Sequence, residues 1–427
     1  MSGPRVIAVR LLAVFALASG CRFAPVGPTR SEVLESVELW IHEGQIERAD
    51  EAIERLRELH PDDYEVAYWH SVVAELLWQD DVAVRSQLAA IRRARVAGVA
   101  PPVEAALRGR LGDLLFQAGR WGEATADLEA GATTEAAERR RAFAAVSRLL
   151  PFRRKQAGPL LTEQPLLDSP IPEFVCSAGE LNRPFAIDTG TSMTTLSREF
   201  AAELGVRGLL PAGSAVDSAG RAIAVEAGLL PRFAVGDVDL GNVPILVIED
   251  AALMLRDLHG GPERVPRGVL GLDQLAAFRL TIDPERDSVV LELPRGLPAL
   301  ESVQCVRADG RCLLPVTADG TRLWFVLDTG ASHSSLTVAG VDALPPGRRA
   351  VATFRRVRTV GGGLIAVREV RDIVLRVSEA RFRGVALPVV PRGDDGGFPV
   401  HGVLGMDLLG RCRVTFDRGR ARLLAYE

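Results

Sequence analysis

The sequence of 427 residues has few of the residues that several common enzyme classes require. Lys155 is its single lysine, so a phosphate-binding loop is absent. Neither a Gly-x-Ser-x-Gly turn nor a His-Glu-x-x-His helix occurs, and the six histidines are scattered along the chain. Acidic residues balance the arginines at a formal net charge of −4, so no basic stripe indicates nucleic-acid binding. Serine-hydrolase, zinc-protease and phosphate-loop chemistries therefore find no support.

Long apolar runs are also scarce, and the run near the N-terminus covers only residues 11–18. It follows two arginines and precedes small residues and Cys21, which is the order of a secretory signal, and it is too short to span a bilayer. The segment resembles a bacterial lipobox, in which the cysteine is lipidated, although Leu17 lies one position earlier than the usual leucine. We therefore predict a signal peptide over 1–21 and a lipid anchor at Cys21, facing the periplasm or the cell surface. Plain secretion is the alternative.

Residues 31–150 carry apolar side chains at spacings of three and four, which predicts helices. Gly44 and Gly119 are each followed by an alanine five positions later, a pattern that resembles the tetratricopeptide repeat. About three helix pairs are implied. Such stacks usually bind a protein or peptide partner. The alternative is that the helices only pack on the rest of the protein or hold it away from the membrane.

Beyond the helices the pattern of the chain changes. Residues 151–170 combine prolines with basic residues and no period, which predicts a linker. From residue 171 onward, short runs of Val, Ile and Leu are punctuated by Gly, Asn and Asp, which predicts strands. One helix is predicted over 197–204, with Ser197 as its cap and Gly205 at its end.

Four further cysteines follow Cys21. In a secreted chain they can pair, and a local disulfide between Cys305 and Cys312, across a turn-like loop, is the first expectation. Free buried thiols are the alternative. Their spacing is not that of a zinc site, and no metal or organic cofactor is predicted. The four residues are Cys176, Cys305, Cys312 and Cys412.

The most informative feature of the sequence is a duplicated motif. An apolar run ends in Asp-Thr-Gly at Asp188 and again at Asp328, 140 positions later (328 − 188). Each copy predicts a buried strand that ends in a tight turn holding an acid, and a buried carboxylate is costly enough to need an explanation. A second motif, Gly-Val-Leu-Gly, starts at Gly268 and at Gly402. The same parts therefore recur in the same order, which predicts two lobes over 171–300 and 301–427.

These paired motifs resemble those of the retropepsin-like aspartic proteases. The resemblance implies a mostly β, two-lobed domain in which the two aspartates share one proton and activate a water without a cofactor or covalent intermediate. It also implies that the threonines hydrogen-bond across the lobes and that the glycines leave room for close approach. The implied site residues are Asp188 and Asp328 as catalysts, Thr189, Gly190, Thr329 and Gly330 as their support, and the apolar-apolar-Gly segments Val269, Leu270, Gly271 and Val403, Leu404, Gly405.

Two Gly-containing hairpins stand where this family has its flaps, although ordinary surface hairpins are the alternative reading. The flap tyrosine usual in the pepsin-like branch is missing, because the three tyrosines lie elsewhere in the chain. This absence favours the retropepsin-like branch. The flap candidates are Ala219, Gly220, Gly361, Gly362 and Gly363.

The sequence therefore predicts helical tetratricopeptide-like repeats followed by a two-lobed, mostly β aspartic protease, held outside the cytoplasm and acting on a peptide or protein. Two alternatives stay open at this stage. One is a binding scaffold that keeps the fold without cleaving, and the other is a protease whose lobes pair between two copies of the chain.

Overall fold

The computed structural model describes residues 28–120, 123–124, 142, 153–156, 161–178, 181–216, 222–253, 267–348, 350–358, 364–390 and 397–426. Within these ranges a helical region precedes a mostly β region of two lobes, as the sequence predicts. No helix in the described ranges is long and apolar enough to cross a membrane. Cys21 and the five flap candidates lie outside the described residues, so their predicted roles stay predictions.

The helical region consists of five consecutive helices in the described part of the chain. Thr29 caps the first through a capping box with Glu32, and the Asp63 side chain caps the third by accepting from two backbone N–H groups. Gly44, between the first two helices, has φ +71°, a backbone angle that favours glycine. The bounds are α1 (Arg30–His42), α2 (Ile46–Leu59), α3 (Tyr64–Leu76), α4 (Asp80–Val96) and α5 (Pro101–Gln117).

Lobe 1 is built on an eight-stranded sheet in the order β1-β8-β5-β9-β4-β3-β7-β6. Most of its pairs are antiparallel, but β4 and β9 run parallel, as do β5 and β8. Its strands, together with three that join the sheet between the lobes, are β1 (Arg153–Gln156), β2 (Leu161–Pro165), β3 (Glu173–Ala178), β4 (Leu181–Ile187), β5 (Thr195–Ser197), β6 (Leu210–Val216), β7 (Ala222–Val235), β8 (Val238–Ile248), β9 (Gly268–Leu270), β10 (Arg279–Asp283) and β11 (Ser288–Glu292).

Lobe 2 repeats this plan on a second eight-stranded sheet, in the order β13-β14-β15-β20-β16-β19-β18-β17. The parallel pair β15–β20 corresponds to β4–β9 of lobe 1. Its strands are β12 (Val303–Gln304), β13 (Val306–Ala308), β14 (Arg311–Ala318), β15 (Thr321–Leu327), β16 (Ser335–Leu336), β17 (Val351–Arg358), β18 (Leu364–Val377), β19 (Ala380–Val389), β20 (Gly402–Leu404), β21 (Cys412–Asp417) and β22 (Arg420–Ala425).

A six-stranded sheet joins the lobes in the order β12-β22-β21-β10-β11-β2. At its centre β10 of lobe 1 pairs with β21 of lobe 2, and Thr281 lies opposite Thr415 with their hydroxyl oxygens 3.2 Å apart. These two residues occupy equivalent positions of the sequence repeat, 134 positions apart (415 − 281). The local twofold relation between the lobes therefore passes through this pair.

Within the described parts of the two lobes, four short helices follow the loops. The first starts after Ser197, whose hydroxyl accepts from the Phe200 N–H at 3.2 Å, and it is followed by Gly205 at φ +71°. This matches the cap and the end predicted from the sequence. The bounds are α6 (Arg198–Glu203), α7 (Leu272–Leu275), α8 (Val338–Asp342) and α9 (Met406–Leu409), and 3₁₀ turns cover Asp250–Ala252 and Pro284–Arg286.

The predicted linker over 151–170 is partly strand. Residues Arg153–Gln156 pair with β8 of lobe 1, and Leu161–Pro165 pair with β11 as an edge of the sheet between the lobes. Both partners lie more than 80 positions further along the chain in the paired register, for example Arg153 opposite Gly241. Local sequence periodicity carries no information about such distant pairing, which explains why this segment resembles a linker.

The four described cysteines are buried free thiols, so the expected disulfide between Cys305 and Cys312 is absent from this structure. The two thiols nevertheless contact each other. Burial, and to a lesser extent this contact with Cys312, raises the pKa of the Cys305 thiol well above its usual range. Both face the lobe 2 core, where a thiol behaves as a small apolar group.

The helical region packs directly on lobe 2. One apolar cluster contains side chains of α1, α2 and α3 together with residues of β13, β14, β15 and β20. At its centre Trp324 of β15 is 2% exposed, its indole N–H donates to the Gly44 carbonyl at 3.1 Å, and its ring meets Phe398 edge-on with centroids 5.0 Å apart. A side chain at Gly44 would lie 2.3 Å from the indole nitrogen. The helices therefore brace the strand that leads to Asp328.

Candidate active site

The backbone of each Asp-Thr-Gly loop is held by an apolar-apolar-Gly segment. In lobe 1, Ile187 pairs in parallel with Leu270, and the Asp188 N–H donates to the Leu270 carbonyl at 3.0 Å. In lobe 2, the Asp328 N–H donates to the Leu404 carbonyl at 3.1 Å. Val269 and Val403 flank these contacts on β9 and β20. Each aspartate is thus fixed at the end of a strand by a parallel neighbour from its own lobe.

Gly190 and Gly330 lie where the two loops meet. A Cβ atom added at Gly190 would be 2.3 Å from the Asp328 carboxyl carbon, and one added at Gly330 would be 2.4 Å from the Asp188 carboxyl carbon. No side chain fits at such distances, since nonbonded carbon atoms prefer about 3.5–4.0 Å. The structure therefore brings each glycine against the aspartate of the opposite lobe.

Thr189 and Thr329 bridge the lobes through their side chains. The Thr189 hydroxyl donates to the Leu327 carbonyl at 2.7 Å and accepts from the Thr329 N–H at 3.1 Å. The Thr329 hydroxyl donates to the Ile187 carbonyl at 2.6 Å and accepts from the Thr189 N–H at 3.1 Å. Both threonines are 1% exposed. The arrangement is reciprocal, as the twofold relation requires.

The carboxyl groups of Asp188 and Asp328 face each other within one chain, each beside the glycine of the opposite loop. Burial raises the pKa of Asp188, and burial followed by the neighbouring Asp188 charge raises the pKa of Asp328 well above its usual range. Two adjacent carboxylates cannot both ionise readily, so the pair holds one proton at pH values where an exposed carboxyl has lost its own.

The two carboxyl groups differ in the donors around them. Asp188 Oδ1 accepts from the N–H groups of Gly190 at 2.8 Å and Thr191 at 3.1 Å. Asp328 Oδ1 accepts from the Ala331 N–H at 2.9 Å. Because hydrogen bonds to the ionised form favour it, the negative charge is better stabilised on Asp188.

A second pair of acids supports the loops, and sequence reasoning gave these residues no role. Asp273 Oδ1 accepts from both the N–H and the hydroxyl of Thr194 at 2.9 Å, and Asp407 Oδ1 accepts from the N–H of Ser334 at 2.8 Å and its hydroxyl at 2.6 Å. The Thr194 hydroxyl in turn accepts from the Gly271 N–H at 3.2 Å. These bonds join each Asp-Thr-Gly loop to its apolar-apolar-Gly segment. The signal was in the sequence, because the repeat of that segment continues to an aspartate.

Gly271 and Gly405 complete this contact. A Cβ added at Gly271 would lie 2.5 Å from the Met193 carbonyl carbon, and one added at Gly405 would lie 2.6 Å from the His333 carbonyl carbon. His333 therefore contributes backbone to the packing of the loop, and its ring nitrogen Nδ1 lies 2.9 Å from the Ser332 hydroxyl. Among the described residues, no group of three or more histidine, cysteine, aspartate or glutamate side chains is arranged to hold a metal ion.

Comparison with known proteins agrees with this geometry. A family model described as aspartyl protease matches residues 175–274 and 314–408. Each matched segment contains one Asp-Thr-Gly loop and its apolar-apolar-Gly segment. A search of curated protein sequences found no match to the chain.

Solved structures similar to the chain include bacterial, fungal and plant proteins. A retropepsin-like aspartic protease from Rickettsia conorii is 19% identical over 33% of this chain and 92% of its own, with a TM-score of 0.23. An aspartic proteinase from Irpex lacteus is 10% identical over 62% of this chain and 98% of its own, with a TM-score of 0.38. Basic 7S globulin from soybean is 13% identical over 63% of this chain and 96% of its own, with a TM-score of 0.37.

The β region resembles the aspartyl proteases in both lobes, because each lobe contains one matched segment with its Asp-Thr-Gly loop. Its fold is of the retropepsin-like kind, with both lobes in a single chain behind a helical region.

Proposed function

We propose that this protein is an aspartic endopeptidase that hydrolyses peptide bonds with a water activated by Asp188 and Asp328. In this mechanism the ionised carboxylate takes a proton from the water, while the protonated carboxyl polarises the substrate carbonyl. The additional N–H donors at Asp188 favour it as the base and leave the proton on Asp328. Neither step requires a covalent intermediate.

The observation that carries this proposal is the close approach of two carboxyl groups, one from each lobe, inside a closed network of threonines and glycines. Packing two acids together is unfavourable unless they share a proton. A scaffold that only binds peptides has no need for that cost. The reciprocal bonds also lie within one chain, which favours catalysis by a single copy over pairing between copies.

The test is cleavage of a mixed peptide library by the purified chain across a range of pH. Asp188→Asn and Asp328→Asn keep the shape of each side chain and remove one acid. We expect the unmodified chain to cut internal peptide bonds and each variant to lose at least roughly 100-fold of the rate, within the usual contribution of acid–base catalysis. If all three proteins are folded, bind peptide and are equally inert, the binding scaffold is the better description.

We further propose that the enzyme acts outside the cytoplasm, held by a lipid on Cys21. The support is the sequence order of charged residues, apolar run and small residues before that cysteine. Expression in a bacterial host with labelled fatty acid tests this directly. We expect label on the unmodified protein, in the membrane fraction, and none on Cys21→Ala. A secreted, unlabelled protein would point to plain export.

A further inference from the structure

A groove in the helical region lies apart from the active site and has no part in the proposed catalysis. It has a volume of ≈ 450 Å³ and is formed by α2, α3 and α4. The α3 residues that line it, Ala67 and His70, lie on a different face of the helix from Trp69 and Val72, which pack toward lobe 2. Contact with lobe 2 therefore leaves the groove accessible.

Positive charge dominates the lining of this groove. Arg57 comes from α2, and Arg85 and Arg93 come from α4, against one acid, Glu54. The lining thus carries a formal charge of +2 (three arginines minus one glutamate) on a chain whose net charge is −4. Such a local excess of one sign attracts a ligand of the opposite sign.

One carboxylate, that of Glu54 on α2, already lies in the groove. Both carboxylate oxygens of Glu54 lie 2.7 Å from Arg57 Nη1, and one of them is 3.1 Å from His70 Nε2. His70 is 7% exposed, and its other ring nitrogen lies 2.7 Å from the Ser86 hydroxyl, which fixes the ring. The Glu54 side chain is half exposed, so an incoming acid can displace it from Arg57.

The arginines of α4 keep donors available. Within the described part of the chain Arg85 makes no hydrogen bond or ion pair, and Arg93 makes one long hydrogen bond, of 3.4 Å, to the Asp63 carbonyl. The two residues are eight positions apart, on the same side of the helix as Ala89, so their backbones are about 12 Å apart at a rise of about 1.5 Å per residue. The two side chains therefore reach the groove from points about two helical turns apart along α4.

We propose that this groove binds an acidic peptide segment in an extended conformation, with carboxylates that reach Arg85 and Arg93. An extended chain advances about 3.3 Å per residue, so acids four positions apart span the required distance. The small side chains of Ala67 and Ala89 leave room for the peptide backbone. The site would let the protein hold an acidic stretch of a partner protein at a place apart from the candidate active site.

The test measures binding of a fluorescein-labelled seven-residue peptide with glutamates at positions 2 and 6, by fluorescence anisotropy. The full chain carries Asp188→Asn throughout, so that the peptide is not consumed. Loss of one charge-assisted contact is worth roughly tenfold in affinity. We expect about that loss for Arg85→Gln and for Arg93→Gln, and a gain for Glu54→Gln, which removes the competing acid. Arg92→Gln, an exposed arginine of α4 outside the groove, is the matched control.

Three results would overturn the proposal. The first is equally tight binding of the same peptide with glutamine in place of glutamate. The second is a loss of affinity for Arg92→Gln as large as that for the groove variants. The third is competition by inorganic phosphate at concentrations similar to those of the peptide. The last result would define a site for a single small anion. None of these results depends on whether the active site cleaves peptides.

Discussion

The threonine bridge between the lobes permits a quantitative test in Thr329→Val. Valine keeps the shape of the side chain but removes the hydroxyl, which leaves the Ile187 carbonyl and the Thr189 N–H without their partners at 2.6 Å and 3.1 Å. Both groups belong to a buried network, and each buried group left unsatisfied costs about 1–3 kcal/mol. We therefore expect the free energy of unfolding to fall by roughly 2–6 kcal/mol.

Thr415→Val provides the matched control. Thr415 is also buried and also faces its equivalent from the other lobe, but its hydroxyl shares a single side-chain contact, of 3.2 Å, with Thr281. Removal of that one contact is expected to cost about 1 kcal/mol. Urea unfolding of the full chain, followed by tryptophan fluorescence, compares the two variants under identical conditions.

The same pair separates stability from catalysis. Thr329→Val shifts the loop that carries Asp328, and a misplacement of about 1 Å costs roughly 100-fold in rate. Thr415→Val leaves both loops in place, and Thr329→Ser restores the missing hydroxyl, so both are expected to cleave peptides at close to the normal rate. Equal urea midpoints and equal rates of peptide cleavage for Thr329→Val and Thr415→Val would refute the proposed importance of the threonine bridge.

Three further predictions follow from the same geometry. Gly190→Ala is expected to abolish cleavage, because its Cβ would meet the Asp328 carboxyl at 2.3 Å, whereas Gly397→Ala, with nothing within 4 Å, is expected to leave peptide cleavage unchanged. Burial raises the pKa of Asp273 to about 6, above its value in the unfolded chain. The free energy of unfolding should therefore fall as the pH rises from about 4 to about 6, by at most about 1.4 kcal/mol per pH unit. Asp273→Asn should lack this part of the pH dependence. Trp324→Ala is expected to lower the free energy of unfolding by about 3–5 kcal/mol, since it empties a buried site between the helices and lobe 2, and an unchanged urea midpoint would contradict that packing.

The sequence repeat predicted most of what lies close to the aspartates. The apolar strand before each Asp-Thr-Gly loop, the second apolar-apolar-Gly segment and the capped helix after Ser197 are all present in the structure. Such features are local, so they leave a pattern within a dozen residues. The pairing of equivalent elements in the two lobes also leaves a pattern, because the same order of motifs occurs twice.

Contacts between distant segments left no such pattern. Nothing near Trp324 indicates that its indole donates to Gly44, 280 positions away (324 − 44). The partners of Arg307 show the same limit, because its guanidinium lies over the Trp78 ring and pairs with Asp80 of the helical region. The sequence pattern of a strand is the same whichever distant residue its tryptophan or arginine contacts. The packing of the helices on lobe 2 therefore cannot be predicted from local sequence patterns.

This packing of the helices on lobe 2 makes the two halves of the candidate active site unequal. The helices α1–α3 press on β15, which leads to Asp328, while Asp188 gains two N–H donors from its own loop against one for Asp328. A protease made of two identical chains has no such difference between its carboxyl groups, and either one holds the shared proton equally well. A duplicated single chain is free to change each lobe separately. Under the proposed mechanism this difference favours the proton on Asp328, which belongs to the lobe that the helices contact.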